Sequence, residues 1–138
     1  MDKYTLTVNP FKMGTEKESA LKPLEEAAEI FGAWQSCGET IFGDFARIMT
    51  DSKIPTSFED RFKLDQLACE IADCIQACCN LAARYGIDLR TALEVVEMRN
   101  RDRGRYEQPQ PKMQPEMTEG AKRIFDRLME ASGSKSQS

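Results

Sequence analysis

The chain has 138 residues, 41% hydrophobic and 30% charged, with a formal net charge of −4 and no histidine. That length is one ordinary domain, able to bury about two-thirds of its unfolded surface. The absence of histidine excludes a His-ligated zinc site and a histidine-based triad or general base, so any chemistry rests on carboxylates. No apolar run is long enough to span a bilayer, no signal-peptide core stands near Met1, and the acidic balance argues against a nucleic-acid face. A cytoplasmic protein with neither membrane nor nucleic acid as partner is expected.

Residues 1–14 alternate briefly at Tyr4, Leu6 and Val8 before the turn residues Asn9-Pro10 and Gly14, which predicts an extended N-terminal arm. Thr15-Glu16-Lys17-Glu18 has the spacing of a capping box, but Pro23 interrupts the pattern behind it, so the firm first helix is expected over Pro23–Ser36. Leu24, Ala27, Ala28 and Phe31 share one of its faces, and Glu25, Glu26 and Glu29 share another. Gly38 reads as a stop, followed by a short helix over Glu39–Met49 and a loop over Asp51–Thr56.

Thr56-Ser57-Phe58-Glu59 offers a second capping box, opening a central helix from near Phe58 to Tyr85 that Gly86 closes. This helix is apolar nearly all round. Leu64, Leu67, Ile71, Ile75, Cys78 and Ala82 recur at helical steps, and Ala68, Ala72, Cys79 and Ala83 stand opposite, where a surface helix carries charge. It is expected to be buried, in part against another subunit. Four of the five cysteines, Cys69, Cys74, Cys78 and Cys79, crowd into it, and with Cys37 they read as reduced thiols filling apolar space. Asp88 is the N-cap of a third helix with Leu89, Ala92, Leu93 and Val96 on its apolar face and Arg99, Arg101, Arg103 and Arg105 near its end.

The composition changes after Tyr106. Residues 107–117 form a Pro/Gln-rich linker, 118–131 an amphipathic C-terminal helix through Ile124, Phe125, Leu128 and Met129, and 132–138 a disordered tail. Residues 15–106 are the expected all-α domain, of four-helix-bundle type.

Glu70, Asp73 and Asn80 lie on one narrow stripe of the most apolar helix, and carboxylates are rarely buried unless paired or bound to metal. If the first and central helices pack antiparallel about 8–10 Å apart, Glu25, Glu26 and Glu29 converge with Glu70 and Asp73. Such a cluster repels itself unless a divalent cation or protons neutralise it, and all-oxygen ligation favours Mg2+, with Mn2+ as its substitute. A Glu-Glu-x-x-Glu run by itself is an ordinary solvated face, so the weight lies on the two clusters together.

The order Glu-Glu-x-x-Glu, Glu-x-x-Asp within an apolar helix, Tyr85-Gly86-Ile87-Asp88-Leu89 and an Arg-rich helix end resembles the MazG-like all-α nucleoside triphosphate pyrophosphohydrolases over roughly residues 20–106. The resemblance implies a MazG-type bundle that forms a homodimer or homotetramer, binds Mg2+ and hydrolyses a nucleoside triphosphate to monophosphate and pyrophosphate. It implies Glu25, Glu26, Glu29, Glu70 and Asp73 as the catalytic acidic motif, with Glu26, Glu29, Glu70 and Asp73 on the metal, and Asn80, Arg99 and Arg103 on sugar and phosphates. The gap from Glu29 to Glu70 is longer than in compact members, and Arg99 stands where many members carry lysine, which is not equivalent toward phosphate. Trp34, Phe42 and Phe45 are aromatic candidates to meet the base, with core packing as their ordinary alternative. A noncatalytic helical interaction module and a nucleotide sensor with a degenerate site are the alternatives from other functional classes.

Overall fold

The computed structural model describes the backbone of residues 4–50, 58–106 and 117–135, and the side chains of that set apart from 38–50, 58, 59, 134 and 135. Four helices account for its regular structure: α1 (Glu16–Thr50), α2 (Phe58–Arg84), α3 (Leu89–Asp102) and α4 (Glu119–Lys135). No strand occurs among the described residues, so the chain is all-α. Its contacts group into two units, Met1–Gly86 and Ile87–Ser138, the first built on α1 with α2 and the second on α3 with α4.

The expected capping box starts α1. Thr15 N–H donates to Glu18 Oε2 at 2.8 Å, and Glu18 N–H donates to Thr15 Oγ1 at 3.2 Å, each satisfying a donor that a helix N-terminus leaves free. Gly14 precedes it at φ +49°, a left-handed backbone that favours glycine, and a Cβ there would displace the Glu18 carboxylate from its capping bond.

Two expected breaks in α1 do not occur. The helix begins at Glu16 rather than Pro23, and it continues without a stop at Gly38 through the segment expected as a separate short helix. Pro23 removes one backbone donor and Gly38 costs about 1 kcal/mol relative to alanine, penalties that packing on α2 outweighs. That packing reaches Pro23 and the residue before Gly38: Cys74 Sγ lies 3.8 Å from Pro23 O, and Cys37 Sγ lies 3.8 Å from Lys63 O. The pairing of residue 23 with 74 and of 37 with 63 makes α1 and α2 an antiparallel hairpin, with Cys37, Leu64 and Leu67 packed together at one end. The expected loop at 51–56 and its second capping box at Thr56 lie outside the described residues.

Only one face of α2 is buried within the chain. Leu64, Ala77, Asn80 and Ala82 are buried, while Ala68, Cys69, Ile71, Ala72 and Cys78 are exposed. Among the described residues of the first unit, α1 is the one helix packed on α2, and all-round burial of α2 is not reached there.

In the second unit Asp88 caps α3, accepting from Thr91 N–H at 3.3 Å, and the bond from Thr91 holds its carboxyl below the usual aspartate range. Gly86 supplies the left-handed turn at φ +64° that ends the first unit. Thr118 caps α4 through Ala121 N–H and donates to Glu94 Oε2 of α3 at 2.6 Å. Val95 of α3 and Ala121 of α4 are buried, and Gly120 lets the helices approach, since a Cβ there would meet Thr91 Cγ2 at 3.1 Å. α4 continues to Lys135, so Ser132 and Gly133 are helical rather than part of a disordered tail. Residues 107–116 of the expected linker lie outside the described set, as do 136–138.

Candidate metal centre

The antiparallel register of α1 and α2 brings Glu26, Glu29 and Glu70 together, with one carboxylate oxygen from each within 4.8 Å of the others. Glu26 and Glu29 are three residues apart, hence neighbours on one helix face, and Glu70 comes from the facing helix. Glu26 is 6% exposed. The Oε2 atom of Glu70 is shielded from solvent and has no hydrogen-bond partner among the described residues. A buried carboxylate oxygen without a donor is costly, and either a cation or a proton on the neighbouring Glu29 carboxyl completes it.

Lys22 partly compensates the cluster. Its Nζ lies 2.8 Å from Glu26 Oε1 and 3.1 Å from Glu25 Oε1. The hydrogen bond from Lys22 holds the Glu26 carboxyl below the usual glutamate range, and in return the ammonium binds its proton more tightly than an ordinary lysine. Glu29 shifts the other way. Proton sharing with Glu26, the Glu26 charge and the nearby Glu70 all raise its pKa, so neutrality of this one group is favoured where the three charges meet.

The donor set fits a hard divalent cation. All three ligands are carboxylate oxygens, and oxygens on opposite sides of one ion with bonds of roughly 2.1–2.4 Å stand about 4.2–4.8 Å apart. The two remaining acidic candidates are placed differently. Asp73 is exposed and lies outside the group of three, and Glu25 is exposed with its carboxylate on Lys22.

Asn80 lies on the expected stripe, ten residues from Glu70, which is a rise of roughly 15 Å along α2. Its Oδ1 accepts from the Phe11 N–H at 2.9 Å and from Gln76 Nε2 at 2.9 Å, while Gln76 also donates to Asn9 O at 3.0 Å. Arg84 Nη1 donates to Gly14 O and Ser19 Oγ, each at 3.2 Å, and Ser19 Oγ donates to Met13 O at 2.6 Å. The N-terminal arm is thereby strapped to the end of α2, and a cavity of about 480 Å³ remains between Phe11, Met13, Asn80 and Arg84.

Trp34 is 46% exposed and stacks on Phe31, with ring centroids 5.6 Å apart and planes at 20°. Five residues separate it from Glu29, a rotation of roughly 140° around α1, so the two occupy different flanks of the helix. Arg99 and Arg103 belong to the second unit, where both are exposed and the Arg103 N–H caps α3 on Arg99 O at 3.1 Å. The side chains of Phe42 and Phe45 lie outside the described residues.

Lys22 is the partner of the acidic cluster that sequence reasoning missed, although Lys-x-x-Glu-Glu at helical spacing was its visible signal. The strap was invisible in the sequence, because its partners stand 65 to 71 residues apart.

No helix is long and apolar enough to cross a membrane among the described residues. Comparison with protein-family models, with curated proteins and with solved structures gives no match. What the fold and the site define is an all-α protein with a three-carboxylate cluster on a helical hairpin.

Proposed function

We propose that this protein hydrolyses a nucleoside triphosphate to the monophosphate and pyrophosphate, using a divalent cation, Mg2+, held by Glu26, Glu29 and Glu70. The observation that carries the reading is the convergence of those three carboxylates from two helices within 4.8 Å, one oxygen of Glu70 being buried without a donor. A carboxylate-held Mg2+ neutralises phosphate oxygens and acidifies bound water, which is the help phosphoanhydride cleavage needs.

The chain's own residues take distinct parts in this reading. Glu26 and Glu70 supply anionic oxygens, and Asp73 adds another from the next turn of α2. Glu29 is the third ligand of the cation, and a carboxylate of the acidic motif left free of the cation takes the proton of the attacking water. Arg99 and Arg103 are the proposed phosphate contacts, as the resemblance to MazG-like enzymes implies, whereas Asn80, the implied sugar contact, has its amide oxygen taken by the arm and by Gln76. Leu24, Phe31, Phe62 and Ile71 leave an exposed apolar surface on the hairpin, which supports a homodimer or homotetramer in which a second copy covers it.

A panel of ribo- and deoxyribonucleoside triphosphates with Mg2+, assayed for pyrophosphate, tests the reading. Release from at least one of them, abolished by Glu70→Gln, is the expected result; no release from any at high protein concentration refutes it. The same exposed surface favours a second reading, a noncatalytic helical interaction module, and that protein would form complexes without releasing pyrophosphate.

A further inference from the structure

Lys22 occupies a position that helix energetics alone does not explain. A lysine placed four residues before a glutamate is the less favourable order for a helical ion pair. Its ammonium nevertheless reaches inward: the Lys22 side chain is only 26% exposed and its partner Glu26 only 8%. The contact is with the most buried of the three clustered carboxylates, and the same cluster contains the solvent-shielded, unpartnered Oε2 of Glu70. One positive charge sits against a group that carries up to three negative ones.

We propose that Lys22 is an exchangeable counter-ion, an internal cation that holds Glu26 while the cluster is empty and must give it up for a divalent cation to bind. The inference rests on the cation-site reading of Glu26, Glu29 and Glu70. Its physical basis is competition. The ammonium occupies Oε1 of Glu26 at 2.8 Å, and a fixed unit charge so close to a carboxylate-bound divalent ion repels it. Lys22 thus sets the affinity of the site downward, and when it gives up Glu26 its remaining partner is the exposed Glu25, which leaves donors of the ammonium open to phosphate oxygens. Cation and phosphate binding are coupled through one side chain.

Binding of Mn2+ alone to the full chain, followed by the paramagnetic resonance of the free ion, tests this without any turnover. Lys22→Met keeps the length and removes the charge; it is expected to bind Mn2+ on the order of tenfold more tightly than the natural chain. Lys22→Arg keeps the charge and is expected to bind no more tightly. A Lys22→Met affinity equal to or below that of the natural chain overturns the inference and leaves the cation site standing. No Mn2+ binding to either protein overturns the cation-site reading and this inference with it. A measurement on the unmodified chain covers the case in which a variant does not fold: acylation of the Lys22 amine, read by mass spectrometry, is expected to quicken when Mn2+ is added. An unchanged rate in a chain that binds Mn2+ overturns the proposal.

Discussion

The two ends of one stripe on α2 are polar in opposite ways. At the Asn80 end the amide oxygen, Gln76, Ser19 and Arg84 are matched with backbone groups of the arm, and the hydrogen bonds are neutral or singly charged. Roughly 15 Å away along the helix, three carboxylates crowd together with a lysine on one of them, and a buried oxygen has no donor among the described residues. Polar groups that serve the fold find partners within the fold. Under the proposed function, the groups left in electrostatic tension are the ones kept for the ligand.

The sharpest way to break that contrast is to neutralise one member of each end. Under the proposed function, Glu70→Gln lowers pyrophosphate release by about 10²-fold or more, since an anionic ligand on a catalytic metal has no neutral replacement. The thermal midpoint is expected to hold or rise, because one of three mutually repelling charges has gone. Loss of the helical circular-dichroism signal in this variant would instead make Glu70 a structural residue.

Asn80→Ala should do the reverse. It removes the acceptor of both the Phe11 N–H and Gln76 Nε2, which costs about 1–2 kcal/mol of stability for part-buried hydrogen bonds. Denaturant unfolding gives that figure, and limited proteolysis should cut the freed arm near residues 9–14 faster than in the natural chain. Mn2+ binding should change little. If Asn80→Ala lost Mn2+ affinity as strongly as Glu70→Gln, the two ends would be one site and the distinction drawn here would fail.

How much of this was legible depends on the range over which each feature is encoded. The caps at Thr15 and Asp88 and the turn at Gly86 were readable, because each is a bond or a dihedral within three residues. Pro23 and Gly38 misled in the same local terms. Their cost is intrinsic, whereas the packing that overrides it comes from α2, some 26 to 51 residues away. The acidic clusters were readable as clusters, but which acids converge is a matter of rotation and register. Glu25 lies roughly 100° around α1 from Glu26, enough to turn it outward onto Lys22, and Asp73 faces solvent one turn from Glu70. Lys22 was in plain view at helical spacing, yet only the burial of Glu26 separates it from an ordinary surface pair.

The smallest effect expected is on the pH dependence of stability, and it arises from the acidic end alone. Glu26 has a lowered pKa through Lys22, so the stability it contributes is present above the ordinary glutamate value near 4.5 and is lost as pH falls through its lowered folded value. Glu29 has a raised pKa, so the folded chain binds a proton there that the unfolded chain has released. Stability therefore declines as pH rises from about 4.5 through the raised value and then levels off. Glu29→Gln removes the second slope and keeps the first. In calorimetric scans from pH 3 to 8 it should raise the midpoint at neutral pH while leaving the acid limb in place. Mg2+ should likewise raise the neutral midpoint of the natural chain, by screening the same repulsion, and raise that of Glu29→Gln less. A natural chain whose midpoint is flat above pH 4.5 and indifferent to Mg2+ would mean that the three carboxylates do not interact, and the acidic end would then be no different in kind from the strapped one.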